Sequence, residues 1–123
     1  MARAEDYWYN GYICQGEMVW TAGDFCTKLR LPAERGGAGD TAERVAEFPR
    51  LDMADILEYF AAVRAQSLKN LSEITSSDLS QTRDGARGEP PTIAWVLAHV
   101  LIEEAQHLGQ VASLRGMLRG LNN

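Results

Sequence analysis

The chain has 123 residues, 46% of them hydrophobic and 24% charged, and a formal net charge of −5. This length suits a single domain over residues 1–123, and the composition is that of a globular protein rather than a disordered one. The acidic balance excludes a basic phosphate-binding face, so nucleic acid is not an expected partner. No apolar run approaches the roughly 18 residues of a membrane span, and no signal peptide opens the sequence. A cytoplasmic protein without a membrane partner is therefore predicted.

The first half of the chain predicts two helices. Residues 2–14 carry an aromatic stripe at helical spacing, and Gly16 ends this helix. Residues 41–48 predict a short helix, because Asp40 and Glu43 have the spacing of a capping box.

The second half predicts two longer helices. Apolar residues recur in steps of three and four over residues 53–74, with Asp52 as the N-cap. The last helix runs over residues 92–119. Its apolar residues cover more than half of the circumference, which predicts a largely buried helix. Gly109 and Gly116 lie inside it and predict a close approach of another backbone at each position.

The remaining segments carry turn signals or no clear pattern. Residues 31–39 and 76–91 are rich in Gly, Pro, Ser and Asp and predict loops, whereas residues 17–30 are ambiguous. The GGAG stretch at 36–39 is not a phosphate loop, because no Lys-Ser/Thr ending follows it and no strand precedes it. No strand alternation is repeated anywhere, so the fold class is predicted to be all-α.

One face of the last helix carries residues that could bind a metal ion. His99, Glu103 and His107 stand four residues apart, so all three share this face with Gln110. Imidazole nitrogen and carboxylate oxygen are good ligands for divalent ions, and Glu103 and His107 have the i, i+4 spacing of a helical metal-binding pair. The alternative is structural: a histidine that makes an ordinary hydrogen bond, beside the solvated acidic patch of Glu103 and Glu104.

The aromatic residues of the first helix allow two interpretations. Tyr7, Trp8, Tyr9 and Tyr12 could line a ligand pocket, but such a stripe more often packs in a core. Both interpretations stay open from the sequence.

Four stretches of the sequence resemble the DinB/YfiT-like superfamily. EEAQHLGQVASLRG, residues 103–116, resembles the closing helix of that family, and WVLAHV, residues 95–100, resembles the start of the same helix. AEDYWYNG, residues 4–11, resembles the second family helix just after its characteristic His, and residues 29–48 resemble a long loop between the second and third family helices. The resemblance spans nearly the whole chain.

The resemblance implies a four-helix bundle, frequently dimeric, with a divalent metal ion held by three ligands. Two ligands of the family lie four residues apart on the last helix and correspond to Glu103 and His107; His99 is a third candidate, as a ligand or as a partner that orients one. Characterised branches include thiol-dependent S-transferases and a mycothiol-dependent isomerase, in which the metal activates a low-molecular-weight thiol. The implied activity is a metal-dependent thiol S-transferase or hydrolase, with zinc or nickel as the metal and a low-molecular-weight thiol as a further cofactor.

One family ligand has no counterpart in the sequence. The His of the second family helix would fall ahead of Met1, and the first family helix would also precede the chain. We therefore expect either a shortened form of a metal enzyme or a metal-free helical ligand-binding or dimerisation module. Either one has about three main helices and a short one, and leaves an apolar face without its covering helix. This predicts a homo-oligomer, most simply a dimer that completes the bundle.

Overall fold

The computed structural model describes residues 1–34, 39–85 and 88–120. Most of the GGAG stretch at 36–39 lies outside these ranges, so its interpretation stays a prediction. Within them the secondary structure is helical, and β-structure is limited to one antiparallel bridge. The all-α prediction is confirmed. None of the helices in these ranges has the length and apolarity needed to cross a lipid bilayer.

The described helices are mostly short before residue 50 and long after it. The predicted helix over 2–14 is present, but most of it is wound as a π-helix that continues α1 without a break. The ambiguous segment 17–30 forms two single-turn helices. In chain order the elements are α1 (Ala2–Glu5), the π-helix (Asp6–Ile13), α2 (Val19–Ala22), α3 (Phe25–Lys28), α4 (Ala42–Ala46), α5 (Met53–Leu71) and α6 (Ile93–Arg119).

The caps of the long helices follow the sequence. The Asp52 carboxylate accepts a hydrogen bond from the Ala54 N–H at 2.8 Å and begins α5. The Thr92 hydroxyl accepts from the Trp95 N–H at 3.2 Å and begins α6, which ends at Gly120 with φ of 74°. Both helices lie within three residues of their predicted bounds.

The predicted cap of α4 is wrong by one residue. Thr41, not Asp40, is the N-cap, and its hydroxyl accepts a hydrogen bond from the Arg44 N–H at 3.4 Å. Thr41 has the extended backbone conformation of a cap residue, which places its side chain over the first turn. Asp40 instead faces the Arg44 guanidinium at 3.8 Å.

The π-helix contacts both α5 and α6, and the hydrophobic core of the fold forms two clusters. One cluster packs the π-helix against the first half of α6 and contains Tyr9, Tyr12, Ile13, Ile93, Val96 and Val100. The other packs α2 and α3 against α5 and contains Trp20, Phe25, Leu29, Tyr59 and Val63. Because the π-helix contacts both long helices, it fixes where α6 stands relative to the rest of the fold.

The second half of α6 is exposed, so the prediction of a largely buried helix is wrong there. With 27 residues α6 is about 40 Å long, whereas the 19 residues of α5 span only about 28 Å. Apolar composition predicted burial, but the elements that cover the first half do not extend along the second. The exposed large apolar side chains of this half are Leu108, Val111, Leu114, Met117 and Leu118.

The two glycines of α6 do not mark a backbone contact within the chain. A Cβ atom added at Gly109 or Gly116 would meet no described atom within 4 Å. The prediction of a close backbone approach is therefore wrong for both positions in a single copy of the chain, because both lie in the exposed half of α6.

A buried carboxylate joins three elements at the centre of the fold. Asp6 is fully buried and accepts four hydrogen bonds of 2.9 Å. The donors are the backbone N–H groups of Val19 and Trp20, the Asn10 amide and the Tyr59 hydroxyl. Burial, with a further contribution from Asp6, raises the pKa of Tyr59, so this hydroxyl stays a proton donor. This carboxylate therefore anchors the start of α2 to both the π-helix and α5.

Candidate functional site

Glu103 and His107 face one another on adjacent turns of α6. Glu103 Oε2 lies 3.5 Å from His107 Nε2, and His107 Nδ1 lies 2.9 Å from Gln110 Oε1. Because a carbonyl oxygen can only accept, the contact with Gln110 is made by a protonated Nδ1, and Nε2 is the ring nitrogen that faces Glu103. Both side chains are only partly exposed, at 32% for Glu103 and 40% for His107. An imidazole nitrogen and a carboxylate oxygen therefore lie close together at this point.

His99 lies on the other side of the same carboxylate. Its Nε2 is 3.9 Å from Glu103 Oε1, whereas His107 approaches Oε2. The imidazole stacks on Trp95 with ring centroids 4.5 Å apart, and its edge contacts Trp8 at 5.5 Å. These contacts fix the orientation of the His99 ring. His99 Nε2 can therefore orient the Glu103 carboxylate from the side opposite His107.

The donor set in the described residues is a pair. In residues 1–34, 39–85 and 88–120, no three His, Cys, Asp or Glu side chains are grouped closely enough to hold one metal ion. Glu103 and His107 match the donor chemistry of zinc and similar divalent ions, and the Gln110 contact supplies the outer hydrogen bond that metal-binding histidines usually make. Two residues fit the metal that the resemblance implies, and the remaining donors must come from elsewhere.

A second group of charges, in which only Glu5 is fully buried, lies beside this pair. The Arg64 guanidinium is 3.1 Å from Glu5 Oε2 and 2.9 Å from Glu104 Oε1, so it bridges α1 and α6. The Glu5 side chain is fully buried. Burial raises the pKa of the Glu5 carboxyl; Ser67 and Arg64 act against the shift, and Glu104 adds to it.

Glu5 is expected to make the stability of the fold depend on pH. Because its pKa is raised above the ordinary value of 4.5, the folded state holds a proton that the unfolded state has already released. The free energy of unfolding should therefore decrease as the pH rises from the pKa of Glu5 in the unfolded chain to its higher pKa in the folded chain. Glu5→Gln should remove that decrease, as measured by urea unfolding at several pH values. The exposed Glu17→Gln variant serves as the control, and an unchanged pH slope in Glu5→Gln would contradict this assignment.

A separate cavity is lined by neither Glu103 nor His107. It measures about 560 Å³ and lies between α1, α2 and the segment that leads into α5. Trp20, Tyr59 and Phe48 contribute aromatic surface, and the Arg3 guanidinium stacks on the Trp20 ring at 4.2 Å. Its volume is that of a small-molecule site.

Sequence reasoning missed the buried charges and half of the aromatic arrangement. Glu5 and Asp6 stand within the aromatic helix, and acidic residues inside such a stripe are the signal that could have revealed them. The core interpretation of the aromatic run is confirmed for Tyr9 and Tyr12. Tyr7 and Trp8 line a cleft, and whether it binds a ligand stays a prediction.

The comparisons with known proteins give one family. The model of the DinB superfamily matches residues 15–111, about four fifths of the chain, including Glu103 and His107. No curated protein is similar enough to match the chain. The helical fold agrees with the family match, and the chain belongs to the DinB superfamily.

Proposed function

We propose that this DinB-superfamily protein holds a divalent metal ion, zinc or nickel, at Glu103 and His107 and acts as a thiol S-transferase or hydrolase. The observation that carries the proposal is that His107 Nε2 lies 3.5 Å from Glu103 Oε2, while His107 Nδ1 contacts Gln110. His99 orients Glu103 from its other side. When bound, a divalent cation lowers the pKa of a coordinated low-molecular-weight thiol and so supplies a nucleophile.

Elemental analysis of the purified protein tests the metal site. We expect near-stoichiometric zinc or nickel in the parent protein, and a loss of about tenfold or more in Glu103→Gln and in His107→Ala. Gln106→Ala, an exposed change on the same helix, is the matched control. Circular dichroism should show unchanged helicity in all three variants, because the replaced side chains lie outside both hydrophobic clusters. Metal content that does not change in either site variant would refute the proposal.

The second candidate function is a metal-free helical module that binds a small ligand. The cavity of about 560 Å³ beside Trp20 and Tyr59 favours it, since that cavity does not involve Glu103 or His107. A protein that stays metal-free after incubation with zinc, nickel or manganese would favour this alternative.

We also propose that the protein is a homodimer in which the exposed halves of two α6 helices pack together. Val111, Leu114 and Leu118 continue the face on which Val100 is buried, yet Leu114 is 55% and Leu118 86% exposed. Burying Val111, Leu114 and Leu118, which form this surface, would remove on the order of 300 Å² per copy from water, and the flanking Leu108 and Met117 would add to that area.

The charges at the two ends of this surface favour an antiparallel pair. Antiparallel packing about Val111 places the acidic Glu103 of one copy level with the basic Arg119 of the other, so opposite charges stand at each end of the surface. The same packing places the Glu103–His107 pair at the edge of the interface, where a second copy can complete its surroundings.

We also propose that the protein is cytoplasmic. Its Cys14 and Cys26 are free thiols, which are usual in a reducing compartment.

A further inference from the structure

A second cleft, of about 690 Å³, lies where the π-helix meets the start of α6. Its walls include the aromatic side chains of Tyr7, Trp8 and Trp95 and the rings of Pro90 and Pro91. The indole of Trp95 is 50% exposed and the phenol of Tyr7 43% exposed, so both present ring surface to the cleft and to solvent. The volume is within the range of small-molecule sites.

Contacts with rings outside the cleft hold its tryptophan side chains in place. Trp8 makes edge contacts with the buried Tyr12 at 5.5 Å and with His99 at 5.5 Å. Trp95 stacks on His99 with an interplanar angle of 17°. The ring centroids of Trp8 and Trp95 are 6.2 Å apart, and the two ring planes make an angle of 66°. The two indoles therefore form two adjoining walls of the cleft. Because these contacts fix the rings without a ligand, little side-chain entropy remains to be lost when a ligand binds.

The charge of the cleft selects the kind of ligand. Glu89 is the one ionisable side chain apart from the Tyr7 phenol among its described lining residues, and no lysine, arginine or histidine is among them. The faces of indole and phenol rings carry negative electrostatic potential and attract cations. The aromatic faces together with the Glu89 carboxylate favour a positively charged ligand.

We propose that this cleft binds a small, soluble organic cation with a methylated ammonium group. Such a group offers apolar methyl surface to the Trp8 and Trp95 faces while its charge is attracted to the rings and to Glu89. The site uses neither Glu103 nor His107, although Trp8 and Trp95 also pack against His99.

Choline and its uncharged isostere 3,3-dimethyl-1-butanol test the proposal directly. In titrations followed by tryptophan fluorescence and calorimetry, choline should bind about tenfold or more tightly than the isostere. Equal binding of the two compounds, or no choline binding at millimolar concentration, would overturn the proposal.

Two variants locate the binding site. Trp95→Leu keeps an apolar side chain at a half-exposed position and should weaken choline binding about tenfold. Glu89→Gln should weaken it by a smaller factor and reduce its dependence on salt. Gln106→Ala is the control with unchanged affinity, and thermal unfolding checks that each variant is folded. Unchanged choline affinity in Trp95→Leu would contradict the site.

Lipid vesicles distinguish a soluble cation from a lipid headgroup as the ligand. Phosphatidylcholine vesicles present the same headgroup at a membrane surface, and they should not bind the protein under conditions in which free choline does. Binding of the vesicles without binding of free choline would overturn the assignment to a soluble molecule.

Discussion

Asp6→Ala is expected to destabilise the fold by about 3–5 kcal/mol, a large share of the stability of a domain this size. The substitution removes a fully buried carboxylate and leaves four hydrogen-bond donors without their acceptor, among them the backbone N–H groups of Val19 and Trp20. Each unsatisfied buried donor costs free energy because water cannot replace the lost partner. Urea unfolding followed by circular dichroism measures the change.

Tyr59→Phe is the matched control for Asp6→Ala. It removes one of the four donors, keeps the ring between Trp20 and Phe25, and should cost only about 1–2 kcal/mol. A loss below about 1 kcal/mol in Asp6→Ala would show that the carboxylate does not hold the elements together.

Val111→Glu combined with Leu114→Glu is expected to convert the protein from a dimer to a monomer. Both side chains lie on the exposed apolar surface of α6, and each added carboxylate would have to be desolvated in the interface. The dissociation constant should rise by a factor of about 100 or more. Light scattering coupled to size exclusion at micromolar concentrations measures the mass.

Ala105→Glu adds the same charge to the opposite side of α6 and should leave the dimer intact, because Ala105 is exposed and lies away from the apolar surface. A monomeric parent protein, or a dimer that persists in the double variant, would exclude this surface as the interface. Dissociation by Ala105→Glu alone would instead place the interface on the side that carries Gly109 and Gly116.

The helices could be predicted from the sequence where periodicity and caps agree. Asp52 and Thr92 begin helices because a short polar side chain can accept from the first turn, and this rule needs no knowledge of the rest of the fold. The burial of α6 could not be predicted in this way. Leu114 is as apolar as Val96, but only Val96 has the π-helix against it, and that difference arises from tertiary structure.

The candidate site could also be predicted only in part from the sequence. Helical spacing alone placed Glu103 beside both His99 and His107, and the structure has these contacts. Spacing could not show that the two imidazoles approach opposite oxygens of one carboxylate, because rotamers and the stacking on Trp95 decide this. Whether the pair binds metal stays a prediction.

The π-helix also affects how the length of the chain can change as the family diverges. Each π turn takes up about one residue more than an α turn, so deleting one residue between Asp6 and Tyr12 would let the segment return to α-helical winding. Five α steps turn the chain about as far as six π steps, so the parts before and after the deletion would keep nearly the same relative rotation. Asp6, bonded to α2, and Tyr12, bonded to the Arg83 and Pro91 carbonyls, could therefore both keep their partners. The same deletion in the middle of α5 would instead rotate everything before it by about 100°, so the π-helix should tolerate a change in length that α5 would not.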